Sequence, residues 1–142
     1  MNPGETWRIP GRVSAKFNRV FVYECPSPTC IFFQEQYASF EVTNESGQDI
    51  KTGYAFGTGF EMKMFLASGR VIEDSELFYT PEPYASSPEL IPPGQTMQVD
   101  LNFADTYKIS PAATKIEGKL FDTSGAVIVL FFDNKWAAWK LP

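Results

Sequence analysis

The residues that could support catalysis are few in this sequence of 142 amino acids. It contains no histidine, which removes Ser-His-Asp and Cys-His nucleophiles together with the commonest general acid or base. Glu73, Asp74 and Glu76 are close in sequence, but alternation along a strand would send neighbouring side chains to opposite faces. We interpret these carboxylates as a solvated edge. The sequence therefore predicts a protein that is not an enzyme and needs no cofactor.

Two glycine-containing segments resemble functional loops only in part. The segment Asp122 to Gly125 differs from the Asp-Thr-Gly loop of aspartic proteases because a serine precedes the glycine, and a hairpin turn explains it better. Gly57-Thr58-Gly59 lacks the Gly-Lys-Ser/Thr ending of a phosphate loop, and no helical pattern follows it. These glycines are typical of a tight turn or bulge, with a functional loop tip as the alternative.

The two cysteines, Cys25 and Cys30, enclose four residues that include Pro26 and Pro28. This spacing suits a disulfide that closes a small loop, and two free thiols are the alternative. A metal site needs about four ligands, and the chain has no histidine and no further cysteine, so we predict no metal. A disulfide would place the protein outside the cytoplasm after removal of a signal peptide, whereas free thiols would indicate the cytoplasm.

Charge and hydropathy limit the partners of the protein. The net charge is −5 and lysine and arginine form no stripe, so a nucleic-acid partner is not expected. The longest apolar run, Ala126 to Phe132, is far shorter than the ~18 residues that span a bilayer, so no membrane span is predicted. With 44% apolar and 20% charged residues, the whole chain, 1–142, is predicted to form one globular domain.

Period-two alternation of apolar residues recurs along the chain, and helix patterns are nearly absent. The predicted strands are Arg12 to Tyr23 (with a bulge near Asn18-Arg19), Tyr37 to Thr43, Ile50 to Phe56, Phe60 to Leu66, Val71-Ile72, Met97 to Phe103, Ile116 to Leu120 and Ala126 to Phe132. The last run is apolar on both faces, which indicates a central strand or one covered by the C-terminal tail. Residues 1–11 are predicted to be an extended segment. About eight short strands separated by turns indicate an all-β sandwich or barrel.

Residues 78–94 interrupt this rhythm with five prolines. Because proline removes a ladder donor, the segment is predicted to be a long loop and not a central strand. Its tyrosines, Tyr79 and Tyr84, either pack back on the sandwich or form an exposed recognition surface.

A second aromatic group consists of Trp136 and Trp139, three residues apart. In a strand the two indoles would face opposite sides, and in a helical turn they would share a face. They either cap an open end of the core or form an exposed aromatic patch that binds a partner.

Five segments of the chain resemble, in order and approximate spacing, motifs of the BsuPI family, the intracellular proteinase inhibitors of bacilli. They are Phe40 to Ile50 (Asn-x-Ser), Phe56 to Glu61 (Phe-x-Thr-Gly-x-x-Phe-Glu), Ser68 to Val71 (Gly-x-x-Val), Phe78 to Thr80 (Phe-Thr) and Leu90 to Gln95 (Leu-x-Pro-Gly-Glu). The resemblance covers residues 38–121 and implies an immunoglobulin-like antiparallel β-sandwich of about seven to nine strands. Two family residues are missing between Gly59 and Phe60, and Pro81-Glu82-Pro83 replaces the Gln-Ala that often follows the Phe-Thr.

The resemblance also implies a non-catalytic protein-binding domain that acts as a proteinaceous proteinase inhibitor. A proline-stiffened loop would enter the protease cleft already extended, which reduces the conformational entropy lost on binding. The predicted contact residues are Tyr79, Pro81, Pro83 and Tyr84, with Gly57, Thr58 and Gly59 as an adjacent tip if both loops lie at one end of the sandwich.

Two other functions compete with inhibition. A structural or assembly module, such as a cell-surface or filament subunit, would use exposed strand edges and the apolar residues near the termini. These residues are Trp7, Ile9, Trp136, Trp139 and Leu141. A carbohydrate-binding sandwich would use Trp136 and Trp139 as stacking platforms. The sequence does not decide the identity of the partner or the oligomeric state.

Overall fold

A computed structural model describes residues 1–24, 34–51, 60–73, 90–103, 107–109, 116–118 and 120–142. These residues form β-strands joined by turns. The strands are β1 (Thr6–Ile9), β2 (Val13–Glu24), β3 (Gln34–Asn44), β4 (Ile50–Lys51), β5 (Glu61–Phe65), β6 (Val71–Glu73), β7 (Leu90–Ile91), β8 (Thr96–Phe103), β9 (Tyr107–Ile109), β10 (Ile116–Gly118), β11 (Val127–Phe132) and β12 (Lys135–Lys140). Within these ranges no helix has the length and hydropathy required to cross a membrane.

Two four-stranded antiparallel sheets form the body of the protein. The first sheet has the strand order β1-β2-β3-β8, and the second sheet has the order β12-β11-β5-β6. Two short pairs, β4 with β7 and β9 with β10, accompany them. The predicted all-β antiparallel sandwich is confirmed, and the eight strands of the two large sheets fall within the predicted seven to nine.

The core lies between the two sheets and is built by period-two alternation. On β2, Val13, Ala15 and Phe17 are buried and face inward. The register then shifts between Phe17 and Arg19, which confirms the predicted bulge. The main inward-facing side chains of the other strands are Phe40, Val42, Met62, Met64, Val99, Leu101, Phe103, Ile128, Leu130 and Trp139.

Trp139 connects the two sheets across this core. It belongs to the second sheet, yet its ring centroid lies 6.4 Å from Phe17 and 5.8 Å from Phe40, both on the first sheet. Its indole Nε1–H donates a hydrogen bond of 2.9 Å to the backbone oxygen of Glu5. Since Trp139 is fully buried, this bond satisfies a polar atom that could not otherwise reach water.

The N-terminal segment forms more structure than predicted, because part of the predicted extended stretch 1–11 is strand β1. β1 pairs with β2 along the edge of the first sheet. The Met1 ammonium donates to the backbone oxygen of Ala138 (2.9 Å), and Met1 oxygen accepts from the amide of Lys140 (2.9 Å). The segment therefore reaches both sheets and closes one side of the sandwich.

The prediction of an unbroken loop over residues 78–94 is wrong at its C-terminal end, where β7 forms. Ile91 is buried and pairs with Ile50, and Leu90 pairs with Lys51. The physical reason is that no proline lies between Pro88 and Pro92, so both residues keep their backbone donors.

The β11–β12 hairpin answers two questions that the sequence left open. Asp133 and Asn134 have φ values of 51° and 60°, the left-handed pair that a two-residue type I′ turn requires. The tryptophans after this turn therefore lie on a strand and not on a helical turn. β11 itself lies between β5 and β12, as predicted for a central strand.

Replacing Trp139 by Ala is expected to lower the free energy of unfolding by about 3–5 kcal/mol, the usual cost of removing a large buried aromatic side chain. Trp136→Ala is the matched control, because this indole is 63% exposed and its removal should change stability by no more than about 0.5 kcal/mol. Urea unfolding of dilute protein, followed by circular dichroism, measures both. Equal losses in the two variants would contradict the assigned faces of β12.

Candidate functional site

Most of the residues that the sequence predicts for partner contact lie outside the described part of the chain. This holds for Tyr79, Pro81, Pro83 and Tyr84, for Gly57, Thr58 and Gly59, and for the cysteines Cys25 and Cys30. Their roles therefore stay predictions.

The C-terminal end of the proline-rich segment is described, and it is held by Asn44 at the end of β3. The buried side chain of Asn44 donates from Nδ2 to the backbone oxygens of Ile91 (2.8 Å) and Gln48 (2.6 Å). The backbone amide of Asn44 donates to the backbone oxygen of Gln95 (2.9 Å), and the backbone oxygen of Asn44 accepts from the amide of Gly94 (2.8 Å). Two segments that resemble BsuPI motifs thus meet at one side chain, where they stabilise the fold.

Asp122 also has a structural role in the turn that the sequence predicts. Its Oδ1 accepts a hydrogen bond of 3.0 Å from the backbone amide of Ser124. This backbone hydrogen bond lowers the pKa of Asp122, since it favours the ionised carboxylate. Among the described residues, no group of three histidine, cysteine, aspartate or glutamate side chains could hold a metal ion.

Of the two alternatives for Trp136 and Trp139, the shared exposed patch is wrong. Trp139 is 0% exposed and Trp136 is 63% exposed, because residues three apart on a strand face opposite sides. A platform of two stacking indoles for carbohydrate is excluded by the same geometry. The other apolar residues near the termini belong to the interior too: Ile9 is buried, and Trp7 and Leu141 pack against the core.

Trp136 instead belongs to the outer face of the second sheet, the surface that points away from the core. The ten outward-facing residues whose side chains are described are Glu61, Lys63 and Phe65 on β5, Val71 on β6, Val127, Val129 and Phe131 on β11, and Trp136, Ala138 and Lys140 on β12. We call this set the outer face.

An apolar stripe crosses the outer face diagonally. It consists of Trp136, Phe131, Val129, Val127, Phe65 and Val71. The strand register makes it continuous, since Trp136 lies opposite Phe131, and Val127 lies opposite Phe65. The stripe is exposed at its two ends, at 63% for Trp136 and at 41% and 47% for Phe65 and Val71. Phe131 and Val127 are half-buried, and Val129 at the centre is buried, with 8% of its surface exposed.

This stripe is unusual for a sheet face that meets water. An antiparallel sheet with one buried face commonly carries polar residues on the other, yet the three outward residues of β11 are all apolar. Exposed apolar residues that are grouped on one surface commonly mark a contact site, and here they lie at the two ends of the stripe. The sequence signal was the run Ala126 to Phe132, which is apolar on both faces. What the sequence could not show is that its second face is incompletely covered.

Charged residues flank the stripe on both sides. Lys140 lies at one corner, opposite Val127, and Glu61 lies on the other side, opposite Phe131. The Lys63 ammonium lies 5.8 Å from the centroid of the Phe131 ring, a cation–π distance. An apolar centre with a charged rim is the arrangement typical of protein–protein interfaces.

No family model and no curated protein matches this chain. Two solved structures are similar to it. An uncharacterized β-sandwich protein from Clostridium difficile 630 is 12% identical with a TM-score of 0.52, over 98% of this chain and 91% of that one. A candidate lipoprotein, YcdA from Bacillus subtilis subsp. subtilis strain 168, is 8% identical with a TM-score of 0.48, over 99% of this chain and 38% of that one. The first likeness shows the β-sandwich fold alone.

Quenching of tryptophan fluorescence by acrylamide is expected to separate the three tryptophans. Trp136→Phe should remove most of the quenchable, red-shifted emission, because Trp136 is the most exposed of the three. Trp139→Phe should instead remove blue-shifted emission that acrylamide hardly quenches. Loss of the quenchable component in the Trp139 variant would show that the outer face is assigned to the wrong residue.

Proposed function

We propose that this β-sandwich is a non-catalytic protein-binding domain that contacts its partner through the outer face of the second sheet. The observation that carries the proposal is the apolar stripe from Trp136 to Val71, whose two ends are exposed. Tryptophan is among the residues that most often dominate binding energy at protein interfaces.

Burial of the exposed ends of the stripe would supply the driving force for binding a partner. Complete burial of a valine or phenylalanine side chain stabilises by about 1.5–3 kcal/mol, and Phe65 and Val71 still expose almost half of their surface. Trp136 exposes more and is larger, so it contributes the most. Lys140 and Glu61 stay at the rim, where charges set orientation and association rate more than affinity.

Proteinase inhibition is the second candidate, and it would use a different surface. Its support is the resemblance of residues 38–121 to the BsuPI family, in which Tyr79, Pro81, Pro83 and Tyr84 would be the contact residues. The hydrogen bonds of Asn44 with Ile91 and Gly94 join two of the resembling segments within the fold. Those bonds explain shared fold more directly than shared function.

Chemical cross-linking followed by affinity capture tests the first candidate. The wild-type chain should capture a protein partner in cells of its source, with cross-links at Lys63 or Lys140. Trp136→Glu places a charge at the most exposed apolar residue of the contact and should reduce capture at least tenfold. Lys135→Glu is the matched control, since it lies on the same strand outside the outer face and should capture normally. Equal capture by all three proteins would contradict the proposal.

Titration against subtilisin-like serine proteases, cysteine proteases and metalloproteases tests the second candidate. An inhibitor should abolish activity near a one-to-one ratio, and the double change Tyr79→Ala and Tyr84→Ala should weaken inhibition. Trp136→Glu should inhibit as the wild type does, because it alters the other surface. Absence of inhibition of every protease class would exclude this candidate.

A further inference from the structure

We propose that the partner of the outer face is a second copy of the same chain, in a dimer whose two-fold axis runs along the apolar stripe. This inference rests on the proposed function, because it requires the outer face to be a contact surface. Its own evidence is the arrangement of charge on the two sides of the stripe.

The strand register fixes the direction of the stripe. Across the sheet, Trp136 on β12 and Val71 on β6 are three strand spacings apart. Along the strands they are four residues apart, because Trp136 is level with Phe131 of β11 and Val71 is level with Val127. With ~4.8 Å between strands and ~3.4 Å per residue, both distances are about 14 Å. The stripe therefore crosses the strands at roughly 45°, a consequence of these spacings.

The corners on the two sides of the stripe carry opposite charges. Lys140 occupies the corner of β12 beside Val127, and Glu61 lies on β5 towards the opposite corner. Both residues are exposed. Lys63, the remaining charged residue of the ten, lies as close to the line from Trp136 to Val71 as Val129 does, and its ammonium is over the ring of Phe131. An axis along the stripe therefore places Lys63 of one copy beside Lys63 of the other, a repulsion that the two Lys140–Glu61 attractions must exceed.

A two-fold axis along the stripe brings the opposite charges of the two corners together. It lays the stripe of one copy on the stripe of the other, and in projection it carries Lys140 of one copy to about one strand spacing, ~4.8 Å, from the strand that holds Glu61 of the other. The two sheets are then ~10 Å apart, a gap that the long side chains of Lys140 and Glu61 extend into from both copies. The contact is isologous, so the Lys140–Glu61 approach occurs twice. An axis parallel to the strands and midway between β11 and β5 would instead place Lys140 opposite Val71.

The same axis gives a known mode of sheet packing. Strands at roughly 45° to the axis cross those of the second copy at roughly 90°, which is the orthogonal class of sheet-on-sheet packing. The interface is small, because its ten residues are fewer than the roughly 20–30 per partner of a standard interface. The dimer should therefore be weak and depend on concentration.

Sedimentation velocity across a wide range of protein concentration tests the inference. The wild-type chain should pass from monomer to dimer, and Trp136→Glu should stay monomeric. Lys140→Glu and Glu61→Lys should each weaken dimerisation about tenfold or more, because each replaces two attractions by two repulsions. The double variant, Lys140→Glu with Glu61→Lys, should restore it to near the wild-type level. Lys135→Glu should have no effect, and circular dichroism should show every variant folded.

Each outcome bears on one proposal or on both. A wild-type monomer at every concentration overturns the dimer, and if that monomer still captures another protein through Trp136, the proposed function stands. The proposed axis along the stripe is overturned if the single charge changes leave dimerisation unaltered. It is also overturned if the double variant does not restore dimerisation. Absence of both dimer and capture overturns the dimer and the proposed function together.

Discussion

The packing of Trp139 between the two sheets is the constraint on which the rest of this structure depends. Its ring contacts Phe17 and Phe40 across the core, and its indole nitrogen holds the chain at Glu5, where the N-terminal segment passes from one sheet to the other. Because β12 is a strand, burial of Trp139 also forces Trp136 to the other side. One buried side chain thus determines both the joining of the sheets and the surface that the second sheet presents.

The fold could be predicted from the sequence wherever alternation is local and undisturbed. The strands around Phe17, Phe40 and Val99, and the bulge at Asn18, follow from apolar residues that repeat every second position. β1 could not be predicted in this way, because Pro3, Gly4, Pro10 and Gly11 flank a segment whose strand character comes from pairing with β2. β12 was ambiguous because a spacing of three between tryptophans suits a helical turn as well as a strand until the turn before it is known.

The candidate site was accessible to sequence reasoning only in part. The run from Ala126 to Phe132 predicts a strand with two apolar faces, but no local pattern indicates which element covers the second face. That depends on long-range packing, and the structure leaves Phe65, Val71 and Trp136 exposed beside it. The segments that resemble the BsuPI family are mostly turns and loops, and shared turns reflect shared architecture. They therefore carry no information about the outer face of a sheet. A sandwich can therefore carry one surface on its loops and another on a sheet face.

The bulge in β2 has a consequence for how this sequence can change. Asn18 is exposed and has no register partner, so most side chains should be acceptable there. Its presence, however, sets which face of the sheet each following residue points to: Val20 packs on the core between the sheets, while Phe21 stacks on Tyr37 on the opposite face. Loss of this one position would exchange the two sides of the strand from there onward. Position 18 should therefore accept many residue types but should not tolerate a deletion. In related chains, gaps at this position should be far rarer than substitutions.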